Sequence, residues 1–262
     1  GVVMCLGLDA SIEGEQGDAG NEFGSGDKHD LSYPAIQRHL MEIVLGTGTP
    51  VILVSMTGSA MDMREADEKC AAVVQAWYPG GEGGIAVADM LFGKFSPSGK
   101  LPVTFYESTE DLPDFTDYDM SERTYRYFSG TPLYPFGYGL SYTSFAYEGG
   151  GELPMAEEMT VECKVKNIGN VDGYEKVQFY AEPAAPECRV PKYELKGFKA
   201  VYLKAGEETT VTFTVTREDL QLVDAEGNVL SGITIGVQTT TTGDLYSTDY
   251  MESVGLATVQ RY

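Results

Sequence analysis

The chain has 262 residues, 42% of them hydrophobic, with 18 basic and 40 acidic side chains and a formal net charge of −22. That length and apolar content suit two ordinary globular domains and exclude a disordered chain. The charge excludes nucleic acid and anionic membranes as partners, both being polyanions, and no apolar run approaches the ~20 residues of a membrane-spanning helix. Gly1 opens the chain and Val2 already belongs to an apolar run, so a longer product is expected.

Residues 2–8 (VVMCLGL) are continuously apolar, as in a strand buried on both faces of a parallel sheet. A polar, acidic stretch covers 9–30. Residues 34–45 carry apolar side chains at helical spacing, with Ser32 placed to cap the helix and Gly46 to end it. Then come a buried strand at 50–56 (PVILVSM), a short charged helix at 60–69 and an apolar strand at 70–77. After the glycine turn around Glu82, a helix is expected over 84–92 and a last short strand over 101–106. Strands alternating with helices imply a parallel sheet with helices on its faces.

From 107 to 147 this pattern gives way to a connector rich in tyrosine and proline. Beyond it the hydrophobic period is two: 159–166 (MTVECKVK), 175–180, 195–203, 209–216 and 233–237 alternate or are β-branched, separated by turn residues. Short strands at this spacing imply a β-sandwich. The expected domains are therefore 1–106, a later half of an α/β sandwich; 107–147, the connector; and 148–262, an all-β domain.

Four cysteines, Cys5, Cys70, Cys163 and Cys188, form no CxxC pair. Cys5 and Cys70 sit in apolar contexts that suggest buried thiols, and pairing of Cys163 with Cys188 stays open. The lack of a disulfide pattern leans toward a cytoplasmic setting. His29 and His39 are too few for a triad or a zinc site, and the acidic run 18–27 lacks EF-hand spacing, so no metal and no cofactor is expected. There is no G-x-S-x-G elbow, and Gly93 to Lys100 has the wrong spacing for a P-loop. Trp77, before Pro79 and the glycines, reads as a packing residue, and Glu82 as a helix-start residue suited to the helix dipole.

Residues 11–15 (SIEGE) lie just past the C-terminal end of the first strand, where parallel sheets place ligand-binding loops. By composition alone, Glu13 and Glu15 are two among 40 acidic residues.

Four pieces in order, AWYPGGEGG with FSPSGKLPVTFY, RYF with PLYPFGYGLSYTSFAY, VKNIGNVDGYEKVQFY and LKGFKAVYLKAGE, resemble glycoside hydrolase family 3, the β-glucosidases and β-xylosidases. The resemblance implies a partial parallel α/β sandwich joined to a fibronectin type III-like (immunoglobulin-like) β-sandwich. It implies the C-terminal portion of a retaining β-glycosidase, with Glu13 as general acid/base and Glu15 as runner-up, acting on terminal β-linked glucose of a small β-glycoside or oligosaccharide. Asp27 and Lys28 resemble the family's Gly-Asp-Arg and imply loop support, with Lys in place of Arg. The family's (β/α)8 barrel, which bears the nucleophilic Asp, is not in this chain. The resemblance therefore implies a barrel-containing partner polypeptide, or a remainder of the same protein, that also completes the sheet. A non-catalytic carbohydrate-binding module, a β-xylosidase and a β-N-acetylglucosaminidase are the alternatives, and a homo-oligomer is left open.

Overall fold

The computed structural model describes residues 1–14, 28–149, 151–152, 156–184, 189–223, 227–229 and 234–240. Glu15, Asp27 and Cys188 lie outside them. The chain forms two units: one of Gly1–Lys94, Thr104–Glu122 and Ser129–Tyr134, the other of Phe95–Val103, Arg123–Phe128 and Pro135–Tyr262. The connector is thus shared between them.

The first unit holds β1 (Val2–Gly7), α1 (Ala10–Glu13), α2 (Ala35–Leu45), β2 (Val51–Met56), α3 (Arg64–Lys69), β3 (Ala72–Gln75) and α4 (Gly83–Leu91). Its three strands are parallel in the order β1-β2-β3, with Val2 opposite Val51 and Ile52 opposite Ala72. The central strand β2 buries Val51, Leu53, Val54 and Ser55, whereas β1 buries only Met4 and Leu6. Val3 and Cys5, on the opposite face of β1, are exposed. The expectation of a first strand buried on both faces, and of a buried Cys5, is corrected accordingly: in this unit only one face of β1 is covered. Gly7 is bracketed by Gln37 of α2, whose Nε2 donates to the Gly7 carbonyl (2.7 Å) and whose Oε1 accepts its N–H (3.0 Å). These two bonds satisfy backbone groups at the end of an edge strand.

Pro34, rather than a serine, occupies the N-cap of helix α2. The Ser32 N–H instead closes a turn on Asp30 Oδ1 at 2.8 Å. Met41 is buried, with Gln37, Val44 and Leu45 half-buried along the same side. Ile36, Leu40 and Ile43, at i, i+4 and i+7, form a second apolar stripe that is 76%, 46% and 55% exposed.

The segment 101–106 is not a fourth parallel strand. Leu101 exchanges backbone hydrogen bonds with the Gly137–Tyr138 turn at 2.7 and 2.8 Å, and Phe105 makes an isolated antiparallel bridge with Tyr134. Pro102 supplies no N–H for a continuous ladder, and the connector rather than β3 takes the remaining groups.

In the second unit, β4 (Phe145–Gly149), β6 (Glu158–Asn167) and β9 (Glu208–Thr216) make one antiparallel sheet in the order β4-β6-β9. The other, β5-β10-β7-β8, combines Gly151–Glu152, Thr234–Thr240, Gly173–Ala184 and Glu194–Leu203. Alternation along β6 buries Met159, Val161, Cys163 and Val165 against Val177, Phe179, Val211 and Phe213. Phe179 stacks on Phe213 with centroids 5.3 Å apart. The fold class read from the sequence, α/β followed by an all-β sandwich, is the fold observed.

Candidate functional site

The C-terminal ends of β1, β2 and β3 converge on one carboxylate. After β1, Asp9 accepts the N–H groups of Ser11 (2.9 Å) and Ile12 (3.0 Å), capping the single turn α1 whose last residue is Glu13. Gly14, at φ 80°, takes the left-handed conformation that ends the turn and that glycine adopts freely. After β2, the Gly58 N–H donates to Glu13 Oε2 at 3.1 Å and the Ser59 hydroxyl donates to Oε1. After β3, the Tyr78 hydroxyl donates to Oε2. Each strand of the sheet thus sends one loop to the same side chain, at the edge where parallel sheets bind ligands.

Burial of the half-buried Glu13 works to raise its carboxyl. The donors Ser59, Tyr78 and Gly58, helped by the positive charge of Lys28, overcome this and hold it below the usual carboxylate range. Tyr78 is pushed up to about 12, first by burial of its hydroxyl and then by the bond to, and charge of, Glu13. Lys28 lies beside the same loop: its N–H donates to the Glu13 carbonyl at 3.3 Å, and its Nζ reaches the Ala60 carbonyl (3.3 Å) and Met61 Sδ (3.2 Å). Burial lowers the Lys28 ammonium despite the opposing charges of Glu13 and Asp30.

Of the residues singled out in the sequence, Glu13 and Lys28 come together here. Gly58, Ser59 and Tyr78 are missing from that reading. The signal that could have found them is their position directly after the second and third strands, the same rule that selected Glu13. Trp77 is half-buried, its ring edge-on to Phe105 at 6.2 Å, a packing role. Glu82 occupies the N-cap of α4. His39 is exposed and 3.5 Å from Glu42. Among the described residues, no group of three or more His, Cys, Asp or Glu side chains could hold a metal ion, and no helix is long and apolar enough to cross a membrane.

Residues 1–142 match the Glycosyl hydrolase family 3 C-terminal domain, and residues 175–238 match the Fibronectin type III-like domain. A xylan 1,4-beta-xylosidase of Xylanibacter ruminicola is 42% identical over 87% of this chain and 27% of its own length. A periplasmic beta-glucosidase of Salmonella typhimurium is 34% identical over 80% of this chain and 29% of its own length. Among solved structures, a beta-D-glucoside glucohydrolase from Trichoderma reesei covers 92% of this chain and 40% of that chain, with TM-score 0.76 and 30% identity. The chain therefore spans less than a third of the length of these curated relatives. It belongs to glycoside hydrolase family 3, as that family's C-terminal α/β domain followed by its fibronectin type III-like domain.

Proposed function

We propose that this chain contributes the general acid/base carboxylate, Glu13, to a retaining β-glycosidase whose nucleophilic Asp lies on a barrel supplied by further polypeptide. The observation that carries this reading is the convergence of all three strand ends on the Glu13 side chain within a family 3 domain. Retaining hydrolysis needs two carboxylates and a water, and no cofactor. One carboxylate attacks the anomeric carbon. The other gives a proton to the leaving oxygen and later takes one from the incoming water. Glu13, on a one-turn helix between Asp9 and Gly14, is held at the C-terminal edge of the sheet by the loops after β2 and β3, a place that suits a group that must meet a second domain. Lys28 supports the loop through its bond to the Glu13 carbonyl, a role Asp27 would share. Glu15 remains second to Glu13 on sequence grounds.

The exposed stripe Ile36, Leu40 and Ile43 supports a covering polypeptide, because a helix apolar on two sides is ordinarily buried on both. The short share of the relatives' length spanned here points to the remainder of such an enzyme as the occupant. For the substrate, a terminal β-linked glucose or xylose fits the relatives, and the 42% match to a xylan 1,4-beta-xylosidase favours xylose.

The test is Glu13→Gln in the complete enzyme, assayed on β-xylosides and β-glucosides with good and poor leaving groups. Loss of about 10²–10⁴-fold on poor leaving groups, with much less on dinitrophenyl glycosides, is expected. Equal loss on both would remove Glu13 from the acid/base role, and Glu15→Gln would then be the variant to assay.

A further inference from the structure

We propose that Tyr78 and Ser59 are positioning residues which, with the Gly58 amide, form a three-donor latch holding the Glu13 side chain in its ionised, proton-accepting form. This rests on the reading of Glu13 as the acid/base carboxylate and goes beyond it to how that group is controlled.

Both oxygens of Glu13 are engaged: Oε1 by Ser59, Oε2 by Tyr78 and by the Gly58 N–H at 3.1 Å. All three partners donate, so each favours the carboxylate over the acid. The backbone is shaped for this contact at two places. Gly58 has no side chain where a Cβ would meet both Tyr78 and Glu13. Trp77 holds φ 55°, a conformation bulky residues rarely adopt, and thereby turns the next residue, Tyr78, toward Glu13 while its own ring stays against Phe105. The charged groups facing the latch are Lys28, which favours the carboxylate, and Asp9, which acts on Tyr78.

The two halves of retaining hydrolysis make opposite demands. In the first, the nucleophilic carboxylate bonds to the anomeric carbon as the glycosidic C–O bond breaks and the Glu13 proton goes to the leaving oxygen. In the second, the Glu13 carboxylate takes a proton from water as the water oxygen bonds to the anomeric carbon and the glycosyl–nucleophile bond breaks, releasing the nucleophilic carboxylate. The latch favours the second and opposes the first, so it sets the pH at which the first step fails.

Carboxyl carbon-13 NMR of the complete enzyme labelled at glutamate, with Glu13→Gln to assign the resonance, reads the latch directly. Tyr78→Phe and Ser59→Ala should each move the Glu13 titration to higher pH. In the complete enzyme, Tyr78→Phe should move the alkaline limb of kcat/KM the same way, because the acid form then survives to higher pH. A Glu13 titration unmoved by both variants overturns the latch. A titration that moves while the alkaline limb stays fixed supports the latch and overturns instead the acid/base reading of Glu13.

Discussion

Gly58 faces Tyr78 so closely that a Cβ on it would stand 2.6 Å from Tyr78 Cε2, and 3.0 Å from Glu13 Oε2. Both neighbours are side-chain atoms at the end of half-exposed groups, so they can swing aside. Gly58→Ala should therefore break the contact at little cost to the fold, within about 1 kcal/mol. Difference absorbance against Tyr78→Phe should show the Tyr78 phenol, pushed up to about 12 in the intact site, falling back toward its ordinary value of 10.0. Retention of the high value would mean the contact adapts to the extra methyl.

Gly139 presents the opposite case. A Cβ there would lie 2.0 Å from the Gly99 carbonyl oxygen, and that neighbour is backbone. Leu101 and the Gly137–Tyr138 turn tie the two segments together beside this contact. Gly139→Ala should cost at the upper end of the ~1–3 kcal/mol range for overpacking, read as a lower melting temperature of the second unit. A loss below about 0.5 kcal/mol would show that this turn moves more freely than its hydrogen bonds imply.

Lys100 and Glu175 form an ion pair in which the side chains are only 10% and 1% exposed, with Nζ to Oε1 at 3.3 Å. The same oxygen accepts the Tyr147 hydroxyl at 2.7 Å, and Nζ also donates to the Gly139 carbonyl at 2.8 Å. Lys100→Met leaves a buried carboxylate with one neutral donor and should cost about 3–5 kcal/mol. The double variant Lys100→Met, Glu175→Leu should recover much of that loss, because it leaves no unpaired charge. Denaturant unfolding of the two variants side by side checks the sign, and a double variant as unstable as the single one refutes it.

Tyr33 is 1% exposed and donates to Ser55 Oγ at 2.6 Å. Burial pushes its phenol up to about 12; Ser55 draws it partly back, and Cys70 adds a small rise. Its folded value lies above its unfolded value, so the stability it contributes is fully present below pH 10 and is lost as pH rises toward 12. About 2–3 kcal/mol should disappear over that window. Tyr33→Phe should cost about 1–2 kcal/mol at neutral pH, through the lost hydrogen bond, and flatten the alkaline loss. Equal alkaline unfolding of both proteins would place the responsible group elsewhere.

Much of this architecture is local and so could be read along the chain. The apolar runs of β1 and β2, the helical spacing of α2 and the period-two strands of the sandwich each follow from side chains a few residues apart. Glu13 was legible too, as a carboxylate following the first strand. Other features were decided by partners distant in sequence. Residues 101–106 carry a strand's composition, yet pair with connector residues 29 to 37 positions on, because Pro102 interrupts the ladder. Ser32, at cap spacing in the sequence, donates its N–H to Asp30, and Pro34 is the N-cap of α2.

By itself, then, the sequence determined the principal strands and helices of both units though not the pairing of 101–106, that an α/β unit precedes a β-sandwich, and that a carboxylate follows the first strand. Only the tertiary structure decided what that carboxylate touches. Gly58, Ser59 and Tyr78 lie 45, 46 and 65 residues from Glu13 and carry no shared motif. They meet it because β1, β2 and β3 run parallel in that order, which brings three successive strand ends to one edge.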